Sequence, residues 1–466
     1  MTTIMIAIQK AAWGTVALLI AGPPVIGIGY LLIPVAPGCP PDPWSSPKIL
    51  LVGGAVAVVL WLLAIAIITW LHKNKATEVL ARRSWKAPAG IAFCLLLAGA
   101  VMAYTSVEIS TKHAELADRQ QLLSQNVAVA IYESPGYNAF PKVLALSNGS
   151  LWAVWYKANG HVDSNNDGKI VQSFSADNGS SWTVPVVIAD DPELDTRNPA
   201  IGQLGNGTLV LAYFLYDART RRATRCDWIS SNDGASWSSP REINATSYNP
   251  VGQARYAWLS PFGNMLDMGG RHVAAFYGGP ASAGEEGNEV VLLEFSTTNS
   301  TWRYHAMPMG GGSGRGYNEA NIQWTGDRWL CVARSSDDVL YHSYSFDGLT
   351  WSAPKCTPYA LGHAPDIVVL DPGTGSVAIF CVYRGARGFL RGGQAIYDTT
   401  TDTFWCEHEV LYTALGRGGG DFGYASAVRL NNTSVGFINY DVIDCCGTSG
   451  CAGMRGMITW QAWSKA

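Results

Sequence analysis

The sequence has little charge, and what it has is unevenly spread. Only 15% of the 466 residues are Asp, Glu, Lys or Arg, and the formal net charge is −4. Without an excess of basic residues, the composition gives no reason to expect a nucleic-acid partner. Three stretches, 11–36, 49–71 and 87–107, lack charged residues altogether. Each reaches the length of about 20 apolar residues that a bilayer-spanning helix needs, so residues 1–107 are predicted to form three transmembrane helices.

The loops between these stretches predict their orientation. Between the second and third stretches lie five basic residues and one acidic residue, namely Lys73, Lys75, Arg82, Arg83, Lys86 and Glu78. Such an excess of positive charge is retained in the cytoplasm, so the chain beyond the third stretch is expected outside it. The lipid bilayer is then a partner of the chain. A buried helical hairpin in a protein without membrane spans is the alternative.

Paired metal-binding cysteines are also lacking. Eight cysteines follow residue 125, but none forms a Cys-x-x-Cys pair, which disfavours a zinc site. An even number in an oxidising compartment allows disulfides, above all in the "CCGTSGC" cluster that begins at Cys445. The spacing does not determine which cysteines pair.

Residues 108–124 are polar and predicted to form a stalk, and residues 125–466 repeat. The turns "SADNGSSW", "SNDGASW" and "SFDGLTW" end at Trp182, Trp237 and Trp351, and weaker versions or a terminal strand end at Trp302, Trp405 and Trp460. The successive spacings are 55, 65, 49, 54 and 55 residues. Six units of this size with several short strands each predict an all-β fold, a six-bladed β-propeller. Because the turn recurs in every unit, its Ser, Asp and Gly are expected to stabilise the turn and its Trp to pack between blades.

A second set of positions keeps the same period. Apolar strands end at Lys157, Phe214, Tyr277, Arg334, Arg384 and Tyr440, with spacings of 57, 63, 57, 50 and 56 residues. Strand ends near a propeller axis converge on one face, and arginines there are suited to grip a carboxylate bidentately. The alternative is that each arginine forms a structural ion pair with a neighbouring acidic residue.

The turns and four local matches resemble the sialidase superfamily over residues 125–466. The stretch "HVDSNNDGKIVQ" resembles the segment with the family's general acid/base, which implies Asp163. "YNEANIQWTGDRWLCVAR" implies Glu319 and Arg334, and "GDFGYASAVRL" implies Tyr424 as the nucleophile. "FCVYR" implies Arg384 as a further carboxylate-binding arginine, with Arg387 and Arg391 as rivals.

The resemblance implies a retaining glycosidase acting on terminal acidic sugars of glycans. A tyrosine can attack an anomeric carbon that carries a carboxylate, provided that a neighbouring Glu removes the phenol proton. One position departs from the family, because Ala139 in "NAFP" stands where its first arginine is expected. Lys142 or Lys157 could supply a cation there, although a lysine cannot form the arginine's fork. A propeller that binds carbohydrate without cleaving it is therefore the alternative function, and a scaffold for a membrane partner ranks below both.

The segment "DSNNDG", residues 163–168, partly matches a calcium-binding loop. Asp163, Asn165 and Asp167 have the spacing of the first three ligands, but the twelfth position is Phe174 rather than Glu. Calcium is a weak alternative to the acid/base role of Asp163, and no other cofactor is expected.

Overall fold

The computed structural model describes residues 129–161, 165–244, 258–279, 288–310, 315–360, 362–385, 389–406, 409–413, 421–444 and 454–464. The three predicted transmembrane segments and the stalk lie outside these ranges. Within them, no helix is long and apolar enough to span a membrane. The described residues form 26 strands arranged in six sheets, which are the blades of a propeller. This part of the predicted fold is confirmed.

Blades 1 to 3 are built from consecutive antiparallel strands. Blade 1 contains β2 (Tyr137–Ala145), β3 (Leu151–Ala158), β4 (Lys169–Ser175) and β5 (Val186–Asp190). Blade 2 contains β6 (Asp195–Gln203), β7 (Leu209–Asp217), β8 (Arg222–Ser231) and β9 (Arg241–Ile243). Blade 3 contains β10 (Trp258–Pro261), β11 (Leu266–Asp267), β12 (His272–Gly279), β13 (Glu289–Ser296) and β14 (Thr301–Met309), with β10 and β11 both paired to β12.

Blades 4 to 6 follow the same order from the inner to the outer strand. Blade 4 contains β15 (Tyr317–Trp324), β16 (Trp329–Ser335), β17 (Val339–Ser345) and β18 (Lys355–Ala360). Blade 5 contains β19 (His363–Asp371), β20 (Ser376–Arg384), β21 (Phe389–Asp398), β22 (Thr403–Cys406) and β23 (Glu409–Thr413), with β22 and β23 both paired to β21. Blade 6 contains β24 (Phe422–Arg429), β25 (Ser434–Asp444) and β26 (Met454–Ser464).

Blade 6 takes its outer strand from the other end of the propeller sequence. Strand β1 (Val129–Pro135) pairs antiparallel with β26, so that Ser134 lies opposite Gly456. This pairing completes a four-stranded sheet in the order β1-β26-β25-β24. It closes the ring of blades with hydrogen bonds. Strand β26 is paired on both sides and is therefore not left as an exposed edge strand.

The recurring acidic turns are structural, as predicted. In the first, Ser175 Oγ donates to Asp177 Oδ1 at 2.8 Å and accepts from the Gly179 N–H at 2.8 Å. The indole nitrogen of Trp182 donates to the Gly179 carbonyl at 3.0 Å, and its ring lies edge-to-face with Trp460 of blade 6 at 5.6 Å. The turns that end at Trp237 and Trp351 repeat the Ser-to-Asp and Gly-to-Ser hydrogen bonds. Each of these turns therefore joins the third and fourth strands of its blade, and the tryptophans of the first two also pack against a neighbouring blade.

The second set of periodic positions marks the second strand of every blade. Those strands are β3, β7, β12, β16, β20 and β25, and they are buried along most of their length. Trp152 and Trp155 on β3 are each 0% exposed. Because both faces of a blade pack against neighbouring blades, these strands are nearly continuous apolar runs.

The cysteines divide into two groups. Cys226, Cys331 and Cys381 are free thiols buried in the sheets. Cys356 forms a disulfide, which bears out the expectation that disulfides occur. The cluster at 445–451, where the sequence most favours a disulfide, lies outside the described residues.

Candidate active site

The inner strands share a bulge that defines one end of the propeller axis. In five blades, the pairing of the first and second strands shifts register near the start of the inner strand. Each shift carries a non-glycine residue with a left-handed backbone, with φ between 45° and 53°, at Phe140, Asn198, Glu319, Ala364 and Tyr424. Such a conformation costs about 1–2 kcal/mol for an L-residue. Its recurrence shows that the strain belongs to the architecture, and two predicted site residues occupy it.

Glu319 and Tyr424 meet across the axis. The Tyr424 hydroxyl donates to Glu319 Oε1 at 2.6 Å, although the residues belong to blades 6 and 4. The other carboxylate oxygen accepts from the Ala364 N–H at 3.1 Å, and the Glu319 residue is 4% exposed. Burial, followed by the charge of Glu319, raises the pKa of Tyr424 well above 10. The phenol is therefore protonated at neutral pH, with a carboxylate in place to take its proton.

Arg334 lies beside the same carboxylate. Its Nη1 donates to Glu319 Oε1 at 3.4 Å, and its Nη2 is 3.8 Å from Asp338 Oδ1. Asp338 also lies 2.8 Å from His363 Nε2, whose pKa is lowered by burial and by the positive charge of Arg334. The arginine is thus held by acidic groups on two sides, which agrees with the structural ion-pair alternative and still leaves 17% of its side chain exposed.

Arg384 belongs to a second cluster, centred on Asp421. Its Nη1 lies 3.5 Å from Asp421 Oδ1, and its guanidinium stacks 5.1 Å from the Phe422 ring centroid. Asp421 also accepts from Tyr440 at 2.5 Å, and from Tyr137. Burial by itself would raise the pKa of Asp421, but these hydrogen bonds and one from a histidine lower it to about 2.

That histidine is His161, which joins the cluster from the loop after β3. Its Nδ1 is 2.6 Å from Asp421 Oδ2 and 3.0 Å from the Tyr137 hydroxyl. Neither His161, Asp421 nor Tyr137 was predicted from the sequence. Asp421 stands within the quoted segment "GDFGYASAVRL", but two of its partners, His161 and Tyr137, lie 260 and 284 residues away along the chain.

The structure does not bring Lys157 to this site. Its Nζ donates to the Tyr132 hydroxyl on β1 at 2.9 Å and lies 5.1 Å from that ring's centroid. The last pair before the bulge in blade 1 is Ala139 with Tyr156, whereas in blade 4 it is Asn318 with Arg334. Tyr156, and not Lys157, therefore occupies the position equivalent to Arg334.

The remaining predicted residues are placed as follows. Tyr440 lies at the site, bonded to Asp421. Arg391 is on the third strand of blade 5, with its guanidinium 5.4 Å from the Phe389 ring centroid. Asp163 and Arg387 lie outside the described residues, so their predicted roles stay predictions.

Two buried cations lie near the axis on the side of Ala139. Lys142 is 5% exposed, and its Nζ lies 3.7 Å from the Phe262 ring centroid. Lys142, Phe140, Phe262 and Tyr424 line a cavity of about 10 Å³, which is room for about one water molecule. From the sequence, Lys142 was expected only as a possible replacement for the positive charge missing at Ala139.

Arg197 is the second buried cation and was not predicted. It is paired with Phe214 just before the bulge of blade 2, the place that Ala139 occupies in blade 1. Its guanidinium stacks 5.1 Å from the Tyr156 ring and lies 3.4 Å from Asp195 Oδ2. The spacing to a proline could have found it, because Arg197 stands two residues before Pro199 as Ala139 stands two residues before Pro141.

The calcium alternative gains no ligand set from the described residues. Of its three positions, Asn165 and Asp167 are described and Asp163 is not. Asp167 Oδ2 accepts from the Asn159 N–H at 3.0 Å, which closes the loop on itself. In the described part of the chain, no three His, Cys, Asp or Glu side chains are grouped as a metal site would require.

Comparison with known proteins identifies the family. The family described as the BNR repeat-like domain matches residues 149–436, more than half of the chain, and the chain belongs to it. Comparison with curated protein sequences gave no match.

Solved structures share the fold. A protein of unknown function from Dyadobacter fermentans is 21% identical with a TM-score of 0.56, and the match covers 72% of this chain and 98% of that one. The NanB sialidase of Streptococcus pneumoniae is 12% identical with a TM-score of 0.54, covering 72% and 70%. A leech intramolecular trans-sialidase is 14% identical with a TM-score of 0.52, covering 67% of each chain. The chain is thus a sialidase-like propeller of BNR repeats, as the resemblance implied.

Proposed function

We propose that this propeller is a retaining glycoside hydrolase that acts on terminal acidic sugars of glycans. The observation that carries the proposal is the 2.6 Å hydrogen bond from Tyr424 to Glu319, formed across the axis between two blades. A phenol bonded to a buried carboxylate is a nucleophile with its base already in place. The sialidases among the fold relatives support a sugar substrate.

The chemistry divides into two displacements. The Tyr424 oxygen bonds to the anomeric carbon as the glycosidic C–O bond breaks, and the phenol proton passes to Glu319. The leaving oxygen takes a proton from a general acid, for which Asp163 is the predicted residue. Water activated by the same residue then displaces Tyr424, which recovers its proton from Glu319, and two inversions give net retention.

The cations of the site match an acidic sugar. Arg334 and Arg384 keep 17% and 27% of their side chains exposed, so each retains surface for a carboxylate. Each is also bonded to an acidic residue, which positions the guanidinium before substrate arrives. Lys142 adds a third positive charge in the cavity beside Tyr424. In this proposal it partly replaces the arginine missing at Ala139.

Tyr424→Phe tests the role of the nucleophile. With a fluorogenic α-sialoside, we expect kcat/KM to fall by at least about a thousandfold, since the covalent step is lost. Tyr397→Phe is the matched control, because Tyr397 also donates a hydrogen bond to a carboxylate, Asp402, at 2.8 Å, but in the outer part of blade 5. Turnover by the wild-type chain that survives in Tyr424→Phe would contradict the mechanism.

A propeller that only binds carbohydrate is the second candidate. It is favoured by Ala139, because the arginine expected at this position, with its bidentate hydrogen bonds to a carboxylate, is missing. It is also favoured by the cavity of only about 10 Å³ beside Tyr424, because a sugar enters there only if neighbouring rings move. If a folded wild-type chain shows no turnover but binds to sugars on a glycan array, this function would be favoured over catalysis.

We further propose that residues 11–36, 49–71 and 87–107 anchor the chain in a membrane with the propeller outside the cytoplasm. The proposal rests on the uncharged stretches and the basic loop that separates two of them. Protease added to intact cells should remove the propeller and leave an N-terminal fragment protected. Complete protection of the propeller in intact cells, but not in lysed ones, would contradict the orientation.

A further inference from the structure

A second concave site lies toward the other end of the axis. Inner strands β2, β15, β19 and β24 run from the bulge toward this end, where they and the segment after β10 enclose a cavity of about 370 Å³. Trp324 lines it and follows Glu319 by five residues on β15, a distance of about 16 Å along a strand. Of the residues proposed for catalysis or for binding the acidic sugar, those that the structure describes do not line this cavity.

Two tryptophans form one wall of this cavity. Trp324 and Trp329 are a cross-strand pair at the end of the β15–β16 hairpin, with ring centroids 5.1 Å apart. The tryptophans of the acidic turns have a different role, since Trp182 and Trp237 pack on rings of neighbouring blades. Trp324 is 40% exposed, which is high for so large an apolar ring. An exposed aromatic pair at a cavity is a surface on which another ring can stack.

The cavity is also lined by polar groups rich in hydrogen-bond acceptors. The amide nitrogen of Asn321 donates to Asp366 Oδ1 at 2.5 Å, and that of Asn264 donates to the Val143 carbonyl at 2.9 Å. The amide oxygens of both asparagines are buried and have no hydrogen-bond partner among the described residues. A buried polar atom left without a partner costs about 1–3 kcal/mol, so such atoms are normally satisfied by water or a ligand.

We propose that this cavity binds a neutral sugar residue, which stacks its apolar face on Trp324 and Trp329 and turns its hydroxyl groups toward the amide and carboxylate groups. The volume is in the range of small-molecule sites, about 300–1,000 Å³. Two acidic side chains, Asp267 and Asp366, line it, and they oppose an acidic sugar. The basic lining residue, Arg429, has its guanidinium bonded within its own turn. This site thus disfavours the negatively charged sugars that the candidate active site is proposed to bind.

Saturation-transfer NMR and titration calorimetry with methyl glycosides of glucose, galactose, mannose and N-acetylglucosamine test this site. The full-length chain is used without sugar-based detergents, which would compete. We expect at least one glycoside to bind, and Trp324→Ala and Trp329→Ala each to weaken binding by about tenfold. Phe346→Ala is the matched control, because Phe346 is a 64% exposed aromatic residue of the same blade that does not line the cavity. It and Tyr424→Phe should change the Kd by less than about twofold.

The outcomes separate this site from the candidate active site. Weakening of glycoside binding by about tenfold or more in both tryptophan variants, with any hydrolysis of an α-sialoside unchanged, supports the proposal whether or not Tyr424 is a nucleophile. Absence of binding to every glycoside by a folded wild-type chain overturns it, as does equal affinity in the tryptophan variants. Binding of tetramethylammonium in place of all four sugars would overturn the ligand class. Circular dichroism of each variant confirms that it is folded.

Discussion

Replacing Lys142 with methionine is expected to stabilise the propeller at neutral pH. The lysine is 5% exposed, and among the described residues no carboxylate lies within ion-pair distance of its Nζ. Burial lowers the pKa of Lys142 to about 8, although the charges of Asp366 and Glu319 oppose the shift. The folded protein therefore disfavours the charged form that Lys142 adopts at pH 7.

The magnitude follows from two opposing effects. A fall in pKa from 10.5 to about 8 corresponds to roughly 3 kcal/mol against the charged lysine. The cation–π contact of Nζ with the Phe262 ring, at 3.7 Å from its centroid, offsets about 1–2 kcal/mol of this cost. Methionine would lose that contact. Methionine has a similar length and a flexible apolar chain, so it should fill the same space. We expect a net gain of about 1–2 kcal/mol in the free energy of unfolding.

The gain should depend on pH with a definite sign. Below pH 8 the lysine is charged in both states, and the wild-type chain bears the full cost. Between about pH 8 and 10.5 the folded chain has released this proton while the unfolded chain still holds it, so wild-type stability rises with pH. The advantage of Lys142→Met should therefore shrink across this window. Above it, the cost of burying the charge no longer separates the two chains.

Denaturation midpoints measured from pH 7 to pH 10 test this reasoning. Lys169→Met is the matched control, because Lys169 forms a partly exposed ion pair with Asp190 at 3.3 Å. Such a pair contributes about 0–1 kcal/mol, so its loss should change little. A Lys142→Met chain that is less stable than wild type at pH 7, or a gain that stays constant up to pH 10, would refute the argument.

Two further substitutions test the packing and the charge of the propeller. Gly179→Ala should cost about 2–4 kcal/mol, because a Cβ there would lie 2.1 Å from the Trp460 indole nitrogen at a φ of +89°. Gly149→Ala, with a φ of +85° and open space, should cost only about 1 kcal/mol in the same thermal melts, and equal costs would exclude the clash. Asp421→Asn should destabilise the chain by about 2 kcal/mol at pH 7 and by less at pH 3. The folded state lowers the pKa of Asp421 to about 2, so the ionised carboxylate stabilises the fold above pH 4, and this contribution fades as the pH falls toward 2. A destabilisation that is equal at both pH values would contradict this.

The number of blades could be predicted because its cause is local. Each turn like that at Ser175 and Asp177 is stabilised by its own side chains, so it has the same residues wherever it recurs. The second strands could be predicted for a related reason, since a strand buried on both faces must be apolar throughout. Counting residues between such features gave six units, and the structure has six sheets.

The error at Lys157 shows what counting cannot find. Counting aligned the second strands by the last residue of each apolar run, whereas pairing with the inner strand sets their register. Ala139, the last paired residue before the bulge of blade 1, lies opposite Tyr156, as Asn318 lies opposite Arg334 in blade 4. An offset of one residue turns a side chain to the other face of the sheet, so Tyr156 and not Lys157 occupies the equivalent position. The cluster at Asp421 was missed for another reason, since its contact with Tyr137 joins the two ends of the propeller sequence. Only the closed ring brings these ends together.

The position of Ala139 weakens the case for an acidic substrate less than the sequence alone implies. Positive charge remains on this side of the axis, at Arg197 and Lys142. The burial of Arg197 is explained by structure, since Asp195 lies 3.4 Å away and the ring of Tyr156 stacks on its guanidinium. Lys142 contacts the ring of Phe262, and no carboxylate of the described residues lies within ion-pair distance of it, so its buried charge is expected to make the fold less stable. A destabilising charge in the cavity beside the proposed nucleophile is explained if it binds an anionic group there. Lys142→Met then has a second readout, because its gain in stability should be accompanied by a loss of affinity for acidic sugars.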